Sequence, residues 1–243
     1  MSVPSKLLLS VEGIRSLYEY AVGWILNMPL QYICPKGDGH PVMVIPGLGT
    51  ADGSTHYIRN FIEGLGYEPH SWGMGRNLGP RRGFDNMLEQ LVKNLTVIYE
   101  GAGNTPVSLI GWSLGGIYAR EIAKRAPHMV RQVITLGTPF KGDISSGTNA
   151  TALYELLSRD KSHKDPIIIK QLSTVPPVPF TSIYSKSDGV VDWECSIESE
   201  GEYIENVEVP AASHLGLGHN PVSMYIVATR LSQTKATWKP LWS

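Results

Sequence analysis

From residue 40 onward, short apolar runs alternate with stretches of helical spacing. Residues 42–45 (VMVI) form the first run and end in the turn Pro46-Gly47-Leu48-Gly49. Residues 55–64 have helical spacing, and 67–72 form a second apolar run leading into a glycine-rich loop over 73–83. Phe84, Leu88, Leu91, Leu95 and Ile98 recur every three or four residues, which predicts a helix over 84–100. A strand at 107–110, a helix over 114–126 stopped by Pro127, and a strand at 130–136 follow. After an interruption, strands at 180–184 and 203–209 and a closing helix at 221–231 complete the series. Six short strands separated by helical segments predict an α/β fold: a mostly parallel sheet of about six strands flanked by helices.

Two stretches depart from this rhythm. Residues 5–28 place Leu7, Val11, Ile14, Tyr18, Ala21 and Ile25 on one face of a helix, and Glu12, Ser16, Glu19 and Gly23 on the other. The pattern predicts an N-terminal amphipathic helix within residues 1–35, its apolar face packed on the domain or on a second copy, or touching a membrane peripherally. Glu12, Arg15 and Glu19 interrupt the apolar run, which suits neither a transmembrane span nor a secretory leader, so a cytoplasmic location is expected. Residues 140–178 are polar, carry a helical patch at 150–157 and end in Val175-Pro-Pro-Val-Pro179. An insertion this long in a regular βα series is expected to be a lid over a site. The whole chain, 1–243, is expected to form a single domain.

Composition narrows the function. With 42% hydrophobic residues, 18% charged residues and a net charge of −1, the chain lacks the basic footprint of a nucleic-acid binder. Its two cysteines, Cys34 and Cys195, belong to no CxxC or Cys/His cluster, so two free thiols and no metal site are expected.

The chemistry centres on Gly111-Trp112-Ser113-Leu114-Gly115, a G-x-S-x-G pattern with an apolar strand before it and a helix after it. That context predicts a sharp turn presenting the Ser113 hydroxyl above the sheet as a nucleophile. The backbone N–H of Leu114 and the helix N-terminus point to the same place. A serine needs a base, and the base needs an orienting carboxylate. Asp188 follows the strand at 180–184, and His214 follows the strand at 203–209, each where open parallel sheets hold their sites. Asp192 and His219 are the alternatives. Asp188 and His214 are favoured because they lie nearer their strand ends, and because His219-Asn220-Pro221 reads as a helix start. The turn after the first strand offers the Leu48 N–H as a second oxyanion donor, and Trp112 is expected to wall the substrate pocket.

With these residues in place the chain resembles the α/β-hydrolase superfamily, and is similar to small bacterial lipases and carboxylesterases. The resemblance covers about residues 40–232. It rests on residues 42–49, 111–116, Leu136-Gly-Thr-Pro139, Ser187-Asp-Gly-Val-Val191 and Ser213-His-Leu-Gly-Leu217. It implies ester hydrolysis through an acyl-enzyme on a small apolar ester, with no metal and no organic cofactor. The first strand ends in Pro46-Gly47 where His-Gly is common, and the first 35 residues have no counterpart in the smallest lipases. Two other readings stand beside hydrolysis: acyl transfer by the same triad, and a ligand-binding module with a vestigial site.

Overall fold

The computed structural model describes residues 4–81, 83–141, 148–149 and 170–241. Six strands form one sheet: β1 (Pro41–Ile45), β2 (Glu68–Ser71), β3 (Val107–Trp112), β4 (Val130–Leu136), β5 (Phe180–Tyr184) and β6 (Ile204–Glu208). Their order is β2-β1-β3-β4-β5-β6, and every neighbouring pair is parallel. The chain starts beside the β1/β3 boundary, runs outward to β2, then returns and continues the other way. The loops leaving β1 and β3 therefore diverge, and such a switch point leaves a crevice at the carboxyl ends of the strands.

The helices are α1 (Lys6–Ile33), α2 (His56–Gly64), α3 (Phe84–Gly101), α4 (Leu114–Arg125) and α5 (Pro221–Leu231). Alternate residues of the central strands feed two cores. Val42, Val44 and Ile110 meet Phe61 of α2 and Val227 of α5, whereas Met43, Ile45 and Leu109 meet Leu91 of α3 and Ile122 of α4. Both faces are covered, which is why β1 reads as an unbroken apolar run and β3 as a run whose one polar side chain, Ser108, is itself buried. Each such aliphatic side chain contributes roughly 1.5–3 kcal/mol on burial.

The strands and helices expected from residue 40 onward are present within a few residues of their expected ends. Residues Asp52–Thr55 form a 3-10 turn, so α2 starts at His56. Cys34 and Cys195 are buried free thiols. Of the expected lid, residues 142–147 and 150–169, including the helical patch, lie outside the described residues.

α1 corrects the expectation that its apolar face packs on the domain. Its buried residues are Glu12, Glu19, Gly23 and Leu30, whereas Ile14, Tyr18 and Ile25 are 76%, 71% and 75% exposed. The polar face docks, across α2 and α5, and the apolar face points outward. The physical reason is hydrogen bonding. Glu12 and Glu19 each find several donors on the loops that follow β5 and β6, so their burial is compensated.

Candidate active site

Ser113 sits between β3 and α4 with φ 53° and ψ −122°, a left-handed conformation that only a closely packed turn imposes on a non-glycine residue. A Cβ on Gly115 would lie 2.3 Å from the Ile45 carbonyl, and one on Gly111 would lie 2.4 Å from the Gly116 Cα. Glycine at both places is what lets the turn pass. The turn is then pinned: the Ser113 N–H donates to the Leu136 carbonyl (2.8 Å), and Thr138 Oγ1 donates to the Ser113 carbonyl (3.0 Å). Farther along α4, the buried Arg120 lies against the rings of Phe140 and Phe180, which meet edge to face, and bonds Glu198 Oε2 at 2.7 Å, tying the helix to the segment before β6.

Asp188 and His214 come together at the carboxyl ends of β5 and β6. His214 Nδ1 lies 2.6 Å from Asp188 Oδ2, and both side chains are buried. Asp188 Oδ1 accepts from the N–H groups of Val190 (2.8 Å) and Val191 (2.7 Å), which fixes the carboxylate plane. Burial opposes charge on His214. The charge and hydrogen bond of Asp188, with the charge of Glu12 behind them, outweigh it and raise the imidazole above the ordinary histidine range. The Trp112 indole N–H donates to the His214 carbonyl at 3.1 Å, linking the Ser113 turn to the His214 loop.

Ser113 and His214 line one pocket of about 270 Å³, with Leu9, Leu48, Trp112, Val190 and Leu215 as its apolar wall. Leu48 lies in the turn that presses Gly47 against Ser113, where a Cβ on Gly47 would come within 3.3 Å of the serine Cβ. Leu114 opens α4, so its N–H is among those a helix leaves without an intrahelical acceptor. Such an arrangement can activate a hydroxyl and offers backbone donors to a developing oxyanion.

The rival residues are engaged elsewhere. Asp192 caps the 3-10 turn Trp193–Ser196, accepting from the Glu194 N–H at 3.1 Å. His219 faces α1, its Nε2 3.2 Å from the Ser16 carbonyl, and burial lowers its pKa. A second Ser-His-Asp arrangement lies at the opposite end of the sheet. There His40 Nε2 is 2.8 Å from Ser108 Oγ, and its Nδ1 is 2.5 Å from Asp38 Oδ1. Ser108 is fully buried within β3, so this set ties the base of the sheet to Arg131 through Asp38 and has no reachable nucleophile.

Three residues that sequence reasoning missed shape the site. Asn77 lies in the loop between β2 and α3 and is fully buried; its side-chain amide donates to the Pro46 carbonyl (2.8 Å) and its backbone exchanges bonds with Gly49 and Thr50, which staples the turn that carries Leu48. Glu12 and Glu19 reach the Asp188 and His214 loops from α1. An asparagine in a glycine-rich loop and two glutamates on a helix carry no local signal of such partners.

Comparison with known proteins fits this geometry. The family described as a PGAP1-like alpha/beta domain matches residues 81–201. Triacylglycerol lipases of Pseudarthrobacter phenanthrenivorans and Burkholderia plantarii are each 30% identical over 109 residues, covering 42% of this chain and 34% and 30% of theirs. The chain thus spans about a third of the length of these relatives. Among solved structures, the monoacylglycerol lipase of Paleococcus ferrophilus is similar with a TM-score of 0.59 at 16% identity, over 82% of this chain and 97% of that one. A mature Bacillus licheniformis lipase is similar with a TM-score of 0.60 at 18% identity, over 82% and 94%.

Proposed function

We propose that this member of the α/β-hydrolase superfamily is a serine carboxylic-ester hydrolase, an esterase or lipase that works through an acyl-enzyme. The observation that carries the reading is the buried Asp188–His214 pair opening onto the same pocket as the strained Ser113. Ser113 attacks the ester carbonyl and His214 takes its proton, then returns it to the leaving alcohol. Asp188 holds the imidazole with its Nδ1–H inward and stabilises the imidazolium. The N–H groups of Leu48 and Leu114 receive the oxyanion, each such donor typically supplying about 3 kcal/mol. Water then releases the acid. The apolar wall of Leu48, Trp112 and Val190 suits an apolar acyl chain, and the names of the similar lipases support that substrate class.

A fluorophosphonate probe tests the reading, and the adduct is expected on Ser113. His214 acts as a base only when neutral, and its pKa is raised. Activity is therefore expected to fall as the pH drops through a value above about 6.5, the ordinary histidine value. A kcat/KM profile on p-nitrophenyl esters of increasing chain length reads both this limb and the preferred acyl length. No adduct, or an acid limb well below that value, counts against the assignment.

The outward face of α1 extends the same reading. Among the described residues no helix is long and apolar enough to cross a membrane. α1 nevertheless exposes Ile14, Leu17, Tyr18, Ile25, Met28 and Tyr32, an apolar patch of the kind that marks contact sites. Both of its acidic side chains are turned inward, and Leu9 carries the patch to the pocket mouth. A lipid surface fits this face better than a second copy, because amphipathic helices of this kind lie in the interface plane and because the ester substrate is itself apolar. The protein is expected to co-sediment with phosphatidylcholine–phosphatidylglycerol vesicles, and Ile14→Glu with Ile25→Glu to abolish this. A dimer in light scattering that ignores vesicles assigns the face to self-association instead.

A further inference from the structure

α1 buries two carboxylates while exposing its aliphatic side chains, the reverse of what docking alone selects. Burying a carboxylate is costly unless donors surround it, and an apolar contact achieves adhesion at less expense. What the two glutamates hold is therefore informative. Glu12 Oε1 accepts from the Gly189 N–H (2.7 Å) and the His214 N–H (3.2 Å), and Oε2 accepts from the Leu215 N–H (3.3 Å). Gly189 adjoins Asp188, so one side chain bridges the aspartate loop and the histidine loop. Glu19 Oε1 accepts from the Ser213 N–H (3.0 Å), and Oε2 accepts from the Ser213 hydroxyl. Arg15 adds a third clamp, donating to the carbonyls of Ser187 (2.8 Å) and Ala211 (3.0 Å).

We propose that α1 is a built-in positioning element of the active site, in which Glu12 locks the Asp188 and His214 loops together and places a second negative charge behind the imidazole, while Glu19 fixes the turn that carries it. This rests on the esterase reading. Glu12 touches neither substrate nor Ser113; it acts through His214 and is a positioning residue. The reacting imidazole becomes positive in the transition state, so a fixed anion near its backbone stabilises the step that Asp188 serves directly. The charged groups facing His214 are Asp188 from the β5 loop and Glu12 from α1; Arg15, 3.7 Å from Glu12, moderates the second. His219, one turn beyond, is held by burial toward its neutral form.

The test follows the second-order rate of Ser113 phosphonylation by a fluorophosphonate from pH 5 to 9, on the full chain, with thermal unfolding measured alongside. Glu12→Gln is expected to slow labelling about 10- to 100-fold, the scale of a misplaced catalytic group. It also shifts the acid limb to lower pH, because removing the anion makes the imidazole easier to deprotonate. Glu12→Asp keeps the charge but withdraws the carboxylate, so it slows labelling while the acid limb stays where it is in the wild type. Glu19→Gln slows labelling without moving the limb. Wild-type rate and profile in Glu12→Gln overturn the proposal, as does slowing with an unmoved limb, which marks a merely structural contact. If Glu12→Gln does not fold, Glu12→Asp decides: a wild-type rate there overturns it. A wild-type protein that resists labelling removes the esterase reading itself and the proposal with it, whereas normal wild-type labelling with unaffected variants removes the proposal alone.

Discussion

Ser113→Ala is expected to lower ester hydrolysis by about 10⁴-fold or more and to abolish fluorophosphonate labelling, with little change in thermal stability. The residual rate comes from the oxyanion donors and from binding, neither of which needs the hydroxyl. Stability is spared because the features that hold the turn are not the hydroxyl. Its φ of 53° is imposed by the bonds its N–H makes to the Leu136 carbonyl and its carbonyl accepts from the Thr138 hydroxyl, and by the close approach of Gly115 to Ile45, all of which survive in alanine. Initial rates on a short p-nitrophenyl ester, with circular dichroism as the folding control, read both. A folded Ser113→Ala protein that keeps its activity sinks the assignment of the nucleophile.

The second large effect separates two aspartates four residues apart. Asp188→Asn is expected to lower kcat/KM by about 10⁴-fold. Its Oδ1 can still accept from Val190 and Val191, so the loop keeps its shape, but an amide NH₂ now faces His214 Nδ1. The imidazole must then accept at Nδ1 and carry its proton at Nε2, the tautomer that cannot take a proton from serine. Asp192→Asn keeps the cap of the Trp193–Ser196 turn, because asparagine caps as well as aspartate. That variant is expected to keep near wild-type kcat/KM at pH 8. If the two variants exchange behaviours, Asp192 is the orienting carboxylate.

Much of this was legible in the chain. The alternation of Val42 and Val44 with Met43 and Ile45 fed two cores, and the apolar runs gave six strands with ends close to those observed. Gly111 and Gly115 flanked a serine between a strand and a helix, and Asp188 and His214 lay just past later strands, where local order alone places them at one edge of a parallel sheet. The second set of Asp38, His40 and Ser108 was not visible, because Ser108 is 68 residues from His40 and its meaning depends on Ser108 being sealed inside β3.

The sequence by itself determined the periodicities: where strands and helices form, that the sheet is parallel, and which serine stands on a turn that needs glycine two residues before and two residues after it. These follow from local sterics and from the alternation of apolar side chains, and both are written within a few residues of where they act. The tertiary structure alone decided the orientation of α1. Its hydrophobic pattern left the aliphatic face to the domain, a second copy or a membrane, and what turned it outward is that Glu12 and Glu19 found backbone N–H groups on loops more than 170 residues away. A buried carboxylate is tolerable only when such donors surround it, and no reading of the helix by itself can count donors that the rest of the fold supplies.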